Sequence, residues 1–340
     1  MTARRPDAAV IGLDLGGTKI AAALVAADGT VLARHSLPTP ATEGAEAVLD
    51  ALAEAARAVR APGTGAIGVA AAGVIDPATG TVTSATDTIR GWAGTALAAG
   101  LAARTGLPVA CDNDVRAAAA TELAALREGA ASRGGGTAGG DGGPHGDGAP
   151  AGPWPTLIYA AVGTGVGGAV AAEGRMLHGA AGIAGHLGHL PSPEAEGLPC
   201  TCGATGHLEA IAAGPGITAH YTRMSGVPAD RLESVAARAA RDDPHATAAI
   251  VLGAEAAGRA LGGLANALGA DHVVVGGGVP RIGALYTDAL NAAFAAELMP
   301  PLRDLRPVPP GAGSDAAVHG AAALTRTLPL HSPRTTGVLR

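Results

Sequence analysis

The sequence predicts a duplicated α/β protein of two domains, and three observations carry the expectation. At 340 residues the chain is long enough for two domains of ordinary size, each with its own core. The stretches "AVIGLDLGGTKIAAALVAADGTVLARH" (9–35) and "TLIYAAVGTGVGGAVAAEGRMLHG" (156–179) share one plan: buried strand, Gly/Thr turn, apolar strand, Gly-containing turn, third strand. Helical periodicity then dominates the second half of the chain. A cleft between two such lobes is the expected seat of a ligand.

Composition sets the limits. Hydrophobic residues make up 48% and aromatic ones only 2%, so the core has to be built from Ala, Val, Leu and Ile with close backbone approach. The net charge of −6 is scattered, with no Lys/Arg run, which argues against a nucleic-acid partner. The longest apolar runs are expected to be too short to cross a bilayer, and Asp14 interrupts the first one, unlike a secretory signal. Three cysteines, two of them in Cys-x-Cys, cannot form a disulfide framework, so a reducing cytoplasm is expected.

Taken in order, "AVIGLDL", "KIAAALVA" and "TVLARHSL" are three strands joined by the turns "GGT" and "ADG". Residues 43–60 form a helix. "AIGVAAAGVID" (66–76) is one buried strand, and "LPVACDND" (107–114) another that leads into a helix over about 115–127. Residues 128–153 are low-complexity and Gly-rich and read as a disordered surface loop. Helices follow at about 208–222, 230–241 and 245–268; then come the strand "HVVVGGGV" (272–279) and helices near 281–297 and 314–326.

Two glycine turns are candidate phosphate sites. Gly16, Gly17 and Thr18 follow the first strand, with Asp14 before and Lys19 after; Gly163, Thr164, Gly165, Gly167 and Gly168 follow its counterpart. Backbone N–H groups in such turns can wrap phosphate oxygens. The alternative for each is an ordinary hairpin turn. The second matches G-x-G-x-x-G, but a strand rather than a helix follows, which disfavours a dinucleotide fold. Lys19 is the only lysine in the chain against 22 arginines, which favours a functional ammonium at the first turn. Asn113 and Asp114 sit at a strand-to-helix junction, suited to N-capping and also to a carboxylate that takes a hydroxyl proton during phosphoryl transfer. His189, Cys200, Cys202 and His207 offer two thiolates and two imidazoles within a loop over 181–209, a set suited to a structural zinc ion; two buried cysteines beside surface histidines is the alternative.

"DLGGTK" (14–19), "ND" (113–114), "GTGVGG" (163–168), "AGHLGH" (184–189) and "CTCGATGHLEA" (200–210) together resemble the ROK family, sugar kinases and related repressors of the actin-like, hexokinase-type ATPase superfamily. The resemblance runs from residue 8 to about 326. It implies ribonuclease H-like duplicated lobes closing over a sugar and ATP, one at 8–115 completed by the helix at 314–328, the other at 116–313. It implies that Asp14, Gly16, Gly17, Thr18 and Lys19 bind phosphate, with Asp14 near Mg²⁺. Gly163, Thr164, Gly165 and Gly167 form the second phosphate turn, and Gly276, Gly277 and Gly278 lie near the adenosine. Asp114 is then the catalytic base. Asn113, Asp114, His186, His189 and Glu209 contact the sugar, a zinc loop positions the last two, and a homodimer is the family expectation.

Three departures from the family pattern bear on the substrate. His207 replaces a usual Cys, giving Cys₂His₂ ligation. His186 stands where a sugar-contacting Glu is common, a variant that resembles family members acting on N-acetylmannosamine, as does "LPTPA" (37–41). The usual Asn before "GW" is missing from "SATDTIRGW" (84–92), which offers Asp87 and Thr88. The expectation is therefore phosphorylation of a hexose or N-acylhexosamine at its 6-hydroxyl, with N-acetylmannosamine as acceptor and glucose as the alternative. A non-catalytic sugar-binding regulator is a reading of another class. A DNA-binding repressor is disfavoured, because the first strand begins near residue 8 and Asp114 is retained.

Overall fold

The computed structural model describes residues 8–133, 154–311, 313 and 316–333. They divide into two compact units: one within 1–121, 178–184 and 312–340, the other within 122–177 and 185–311.

In the first unit the strands β1 (Val10–Leu15), β2 (Lys19–Val25), β3 (Val31–Pro38), β4 (Ile67–Ala71) and β7 (Val109–Asn113) form a sheet of order β3-β2-β1-β4-β7. β1 runs antiparallel to β2 and parallel to β4, which is parallel to β7. Side chains alternate across the pleat. Ile11, Leu13, Leu15, Ile67 and Val69 meet the helices α1 (Ala45–Val59) and α2 (Leu97–Thr105) in one apolar cluster. Val10, Ala70 and Ala110 face the other way, toward α9 (Ala316–Thr327). That packing is backbone on backbone: a Cβ on Gly12 would stand 2.1 Å from the Val318 carbonyl oxygen, and one on Gly68 1.7 Å from that of Ala321. The Ala- and Gly-rich composition permits this approach, and Asp14 lies on the same face at the end of β1.

Two expectations change here. The stretch 66–76 is not one strand, because the chain bends at Ala72 and Gly73 (φ +102°) into β5 (Val74–Asp76), which pairs with β6 (Thr81–Ser84). The helix expected to end near 127 is α3 (Asp114–Arg133), so the Gly-rich stretch does not begin at 128; "EGAASR" holds a single glycine among helix-compatible residues and extends the helix. The remainder of that expected loop, 134–153, lies outside the described residues.

The second unit repeats the sheet. Its order is β10-β9-β8-β11-β12, from β8 (Leu157–Val162), β9 (Val166–Ala172), β10 (Arg175–Met176), β11 (His272–Gly276) and β12 (Pro307–Val308). β8 is antiparallel to β9 and parallel to β11, the relations β1 has to β2 and β4. The helix expected over 208–222 is two, α4 (Glu209–Ala212) and α5 (Gly214–Ser225): Ala213 is extended between them, and Pro215, with no N–H to continue the first helix, sits in the first turn of the second. α6 (Leu232–Ala239), α7 (Pro244–Leu268) and α8 (Ala284–Glu297) complete the unit. Against the expectation that no apolar run is long enough, the 25-residue α7 could cross a bilayer by length and mean hydropathy. Here it is a core helix. Its Ala246, Ile250, Ala257 and Leu261 join Ile217, Tyr221, Leu290 and Phe294 in the unit's main cluster.

Candidate active site and metal-binding loop

In the first unit, the first glycine turn closes the β1–β2 hairpin, with the Gly16 N–H donating to the Lys19 carbonyl at 3.0 Å. Thr39, just past β3, braces it from both sides: its hydroxyl donates to the Gly16 carbonyl at 2.7 Å and its N–H to the Thr18 carbonyl at 3.0 Å. A Cβ on Gly17 would stand 2.6 Å from the Thr88 methyl, so the segment around Asp87 and Thr88 lies close to the turn. Burial raises the Asp14 pKa to about 6; the nearby negative charge of Asp114 adds to the shift, and Lys19 opposes it. Asp14, Lys19 and Asp114 therefore share one electrostatic environment.

β7 delivers Asn113 and Asp114 to the start of α3. The Asn113 Oδ1 caps the helix, accepting from the N–H groups of Val115 (3.0 Å) and Arg116 (3.2 Å), while its amide donates to the Gly73 carbonyl (3.0 Å) and to Asp114 Oδ1 (2.9 Å). Asp114 Oδ1 also accepts the Val115 N–H at 2.9 Å. Burial pushes the Asp114 pKa above the usual carboxylate range, against the pull of these donors. Such a carboxylate binds a proton more avidly than an exposed one, as a general base requires.

Next to Asp114 in sequence lies a buried charge network. Arg116 and Asp112, each about 1% exposed, pair at 2.7 Å. The guanidinium also donates to the carbonyls of Gly182 (2.8 Å), Ala184 (3.4 Å) and Ile75 (3.3 Å), and Asp112 Oδ2 meets His178 Nε2 at 2.8 Å. Segment 178–184 is thereby tied to the strand that carries the Asn113–Asp114 pair. One available signal was an Asp inside an otherwise apolar strand, followed by an Arg four residues later.

In the second unit, Gly163 N–H donates to the Gly165 carbonyl at 2.8 Å across the β8–β9 turn, and a strand follows, so no dinucleotide-type helix is present. Gly277 at the end of β11 packs on the same place; its φ of +98° and the Val162 carbonyl, 2.1 Å from where a Cβ would sit, require glycine. Gly277 thus abuts Val162, the residue before Gly163. The two glycines of "GHLGH" lie flat on β9: a Cβ on Gly185 would come within 2.7 Å of the Ala169 Cα, and one on Gly188 within 2.3 Å of the Val166 carbonyl oxygen. The His186 and His189 rings stack at 6.3 Å.

His189, Cys200, Cys202 and His207 converge so that their ligand atoms lie within 4.8 Å of one another. A small hairpin gathers them, with Cys200 N–H donating to Ala204 (2.8 Å) and Gly206 N–H to Leu198 (2.9 Å). Cys200 Sγ stands 3.6 Å from His189 Nδ1 and Cys202 Sγ 3.3 Å from His207 Nδ1. Tetrahedral zinc with ordinary Zn–S and Zn–N bonds sets this edge at about 3.6 Å. The donor set and these two distances fit the ion. His186 is not among the four converging ligands. Glu209 heads α4 directly after His207–Leu208.

Two α/β units of one topology each carry a glycine turn on the first hairpin, and the first adds a carboxylate at a strand–helix junction; this architecture is shared with phosphotransferases of the sugar kinase class, as the following similarities show. The ROK family pattern matches residues 10–132 and 151–327. N-acetylmannosamine kinase of Escherichia coli (strain 55989) is 33% identical over 271 residues, 79% of this chain and 82% of the relative. Glucokinase of Halalkalibacterium halodurans is 30% identical over 343 aligned positions, 93% of this chain and 94% of the relative. The ROK hexokinase structure from Thermus thermophilus superposes with a TM-score of 0.74 at 32% identity, covering 93% of this chain and 97% of that one. The chain belongs to the ROK family.

Proposed function

We propose that the chain transfers the terminal phosphoryl group of ATP to the 6-hydroxyl of a hexose or N-acylhexosamine, with N-acetylmannosamine as the acceptor. Asp114 carries the reading: a carboxylate fixed at one oxygen at the end of β7, with its proton affinity raised by burial, suits removal of the hydroxyl proton. The sugar oxygen forms the new bond to the γ-phosphorus, the bond to the β-phosphate oxygen breaks, Asp114 takes the proton, and ADP leaves. Asn113 orients Asp114 and is assigned one sugar hydroxyl. In the same unit Gly16, Gly17, Thr18 and Lys19 are assigned to phosphate and Asp14 to Mg²⁺, which when bound offsets the charge on the phosphates.

For the second unit the reading assigns Gly163, Thr164, Gly165 and Gly167 to phosphate, Gly276 to Gly278 to the adenosine side, and His186, His189 and Glu209 to the sugar. The four converging donors are assigned to a structural zinc ion, which leaves no open ligand position for hydrolytic chemistry. His186 in place of a Glu, together with the N-acetylmannosamine kinase relative, supports the N-acyl acceptor; the glucokinase relative supports glucose as the second reading. Three thiols without disulfide partners support a cytoplasmic setting, and a homodimer, testable by light scattering, belongs to the same reading.

The test is ADP formation with Mg²⁺-ATP and N-acetylmannosamine, N-acetylglucosamine, glucose or mannose offered in parallel. Preference for N-acetylmannosamine is expected. Preference for glucose overturns the assignment of His186 and keeps the kinase. Sugar binding without turnover of any of the four leaves a non-catalytic regulator as the better account.

A further inference from the structure

Glu209 does more in the structure than await a sugar. Its Oε2 accepts the N–H of Val166, at the end of the second glycine turn, at 2.9 Å. Its Oε1 accepts the Thr201 hydroxyl at 2.7 Å, and Thr201 is the residue between Cys200 and Cys202. One carboxylate therefore joins the Cys/His hairpin to the turn. Gly165 makes room for it, since a Cβ there would stand 2.5 Å from Oε2. The opposite side of the turn is held independently, by Gly214 N–H donating to the Gly163 carbonyl at 2.8 Å.

Two consequences follow from donor and acceptor counting. The Val166 N–H is already spent on a carboxylate, so the turn's free donors for an anion exclude it. Both Glu209 oxygens are engaged, each from a different direction, so the carboxylate plane has one orientation rather than a rotor's freedom. Bonds to an ionised carboxylate are the stronger kind, and the one from Thr201 is the only one of the two made by a side chain.

We propose that Thr201 is a positioning residue for the acceptor: its hydroxyl, carried on the Cys-x-Cys hairpin, fixes the Glu209 carboxylate in the orientation that receives the sugar. The inference rests on the assignment of Glu209 to the sugar. It makes the hairpin's influence on the acceptor pass through one hydroxyl, separable from the metal ligands on either side. Neither Thr nor any hydroxyl is needed at this position to hold a metal, because the four ligand atoms come from other residues.

Thr201→Val keeps the shape of the side chain and removes the donor; Thr201→Ser restores it. Sugar affinity is measured by calorimetry on the full-length protein, metal per chain by elemental analysis, and KM separately for sugar and ATP. For Thr201→Val the expected result is wild-type metal content, an ATP KM within about twofold of wild type, and sugar binding weakened by about tenfold, the usual scale for one hydrogen bond to a charged group. Thr201→Ser returns the affinity to near the wild-type value. Unchanged sugar affinity in Thr201→Val, in a wild type that binds sugar, overturns this inference alone. Loss of metal together with affinity overturns it too, since the hydroxyl then serves the hairpin's own folding. A wild type that binds no sugar overturns the proposed function and this inference with it.

Discussion

Replacing Asp14 by Asn should stabilise the ligand-free protein above neutral pH while removing its function. The carboxylate is largely buried at the end of β1, and its pKa rises from 3.8 to about 6. Because the folded value lies above the unfolded one, the folded chain holds the proton more tightly. Protonated Asp14 therefore contributes stability that is fully present below about pH 4 and is lost as pH rises through about 6. A shift of about two units at 1.36 kcal/mol each sets a ceiling of about 3 kcal/mol for the charge at pH 8. Partial exposure brings the expected gain for Asp14→Asn to about 1–3 kcal/mol. Trp92, buried in the first unit, reports that unit's unfolding by fluorescence once Trp154 is changed to Phe. Denaturant titrations at pH 4.5 and pH 8 should show a higher midpoint for the variant at the upper pH and a gap only about a third as large at the lower, where the unfolded chain is already mostly ionised. Adding Mg²⁺ should narrow the gap at pH 8, because a cation at Asp14 stabilises the wild-type carboxylate. Equal midpoints at both pH values, or a gain confined to pH 4.5, would refute the burial argument.

Gly68→Ala should be among the most damaging substitutions of its size, because its Cβ would stand 1.7 Å from the Ala321 carbonyl and push α9 off the sheet; a loss of about 3 kcal/mol in the Trp92-monitored transition is expected. Arg116→Met leaves Asp112 buried without its main partner and should cost about 3–5 kcal/mol, whereas the double change with Asp112→Asn should recover part of that, as thermal unfolding of the two variants will show. Elemental analysis should find one zinc per chain, and Cys200→Ser should lose it and lower the melting temperature. The wild-type kcat should fall on the acid side at a pH above the ordinary aspartate range, since burial raises the Asp114 pKa; a flat profile down to pH 4 would contradict that role.

The duplicated sheet was legible because each βββ unit repeats the same turn chemistry, and the structure gives both sheets one strand order. The Cys/His convergence was legible because two of the chain's three cysteines stand beside histidines within one short stretch. Other features left weaker traces. α2 is short and has an Ala-rich, weakly amphipathic face, and β12 has only two residues, so neither carries a periodic signal. The break at Gly73 interrupts a continuous apolar run, which composition alone cannot divide. Arg116 and Thr201 owe their importance to partners distant in sequence: the carbonyls of Gly182 and Ile75 for one, the Glu209 carboxylate for the other. Local spacing holds no record of such pairings, while Asn113 and Asp114 could be recognised because the helix they begin follows them directly.

The central claim is that Asp114 removes the acceptor's proton. The most direct measurement compares wild type and Asp114→Asn for both turnover and binding of the preferred sugar, by ADP formation and calorimetry. A fall in kcat of about 10²–10⁴-fold, with sugar affinity changed by less than about tenfold, is the predicted result. Turnover within a few fold of wild type, at unchanged affinity, would contradict it.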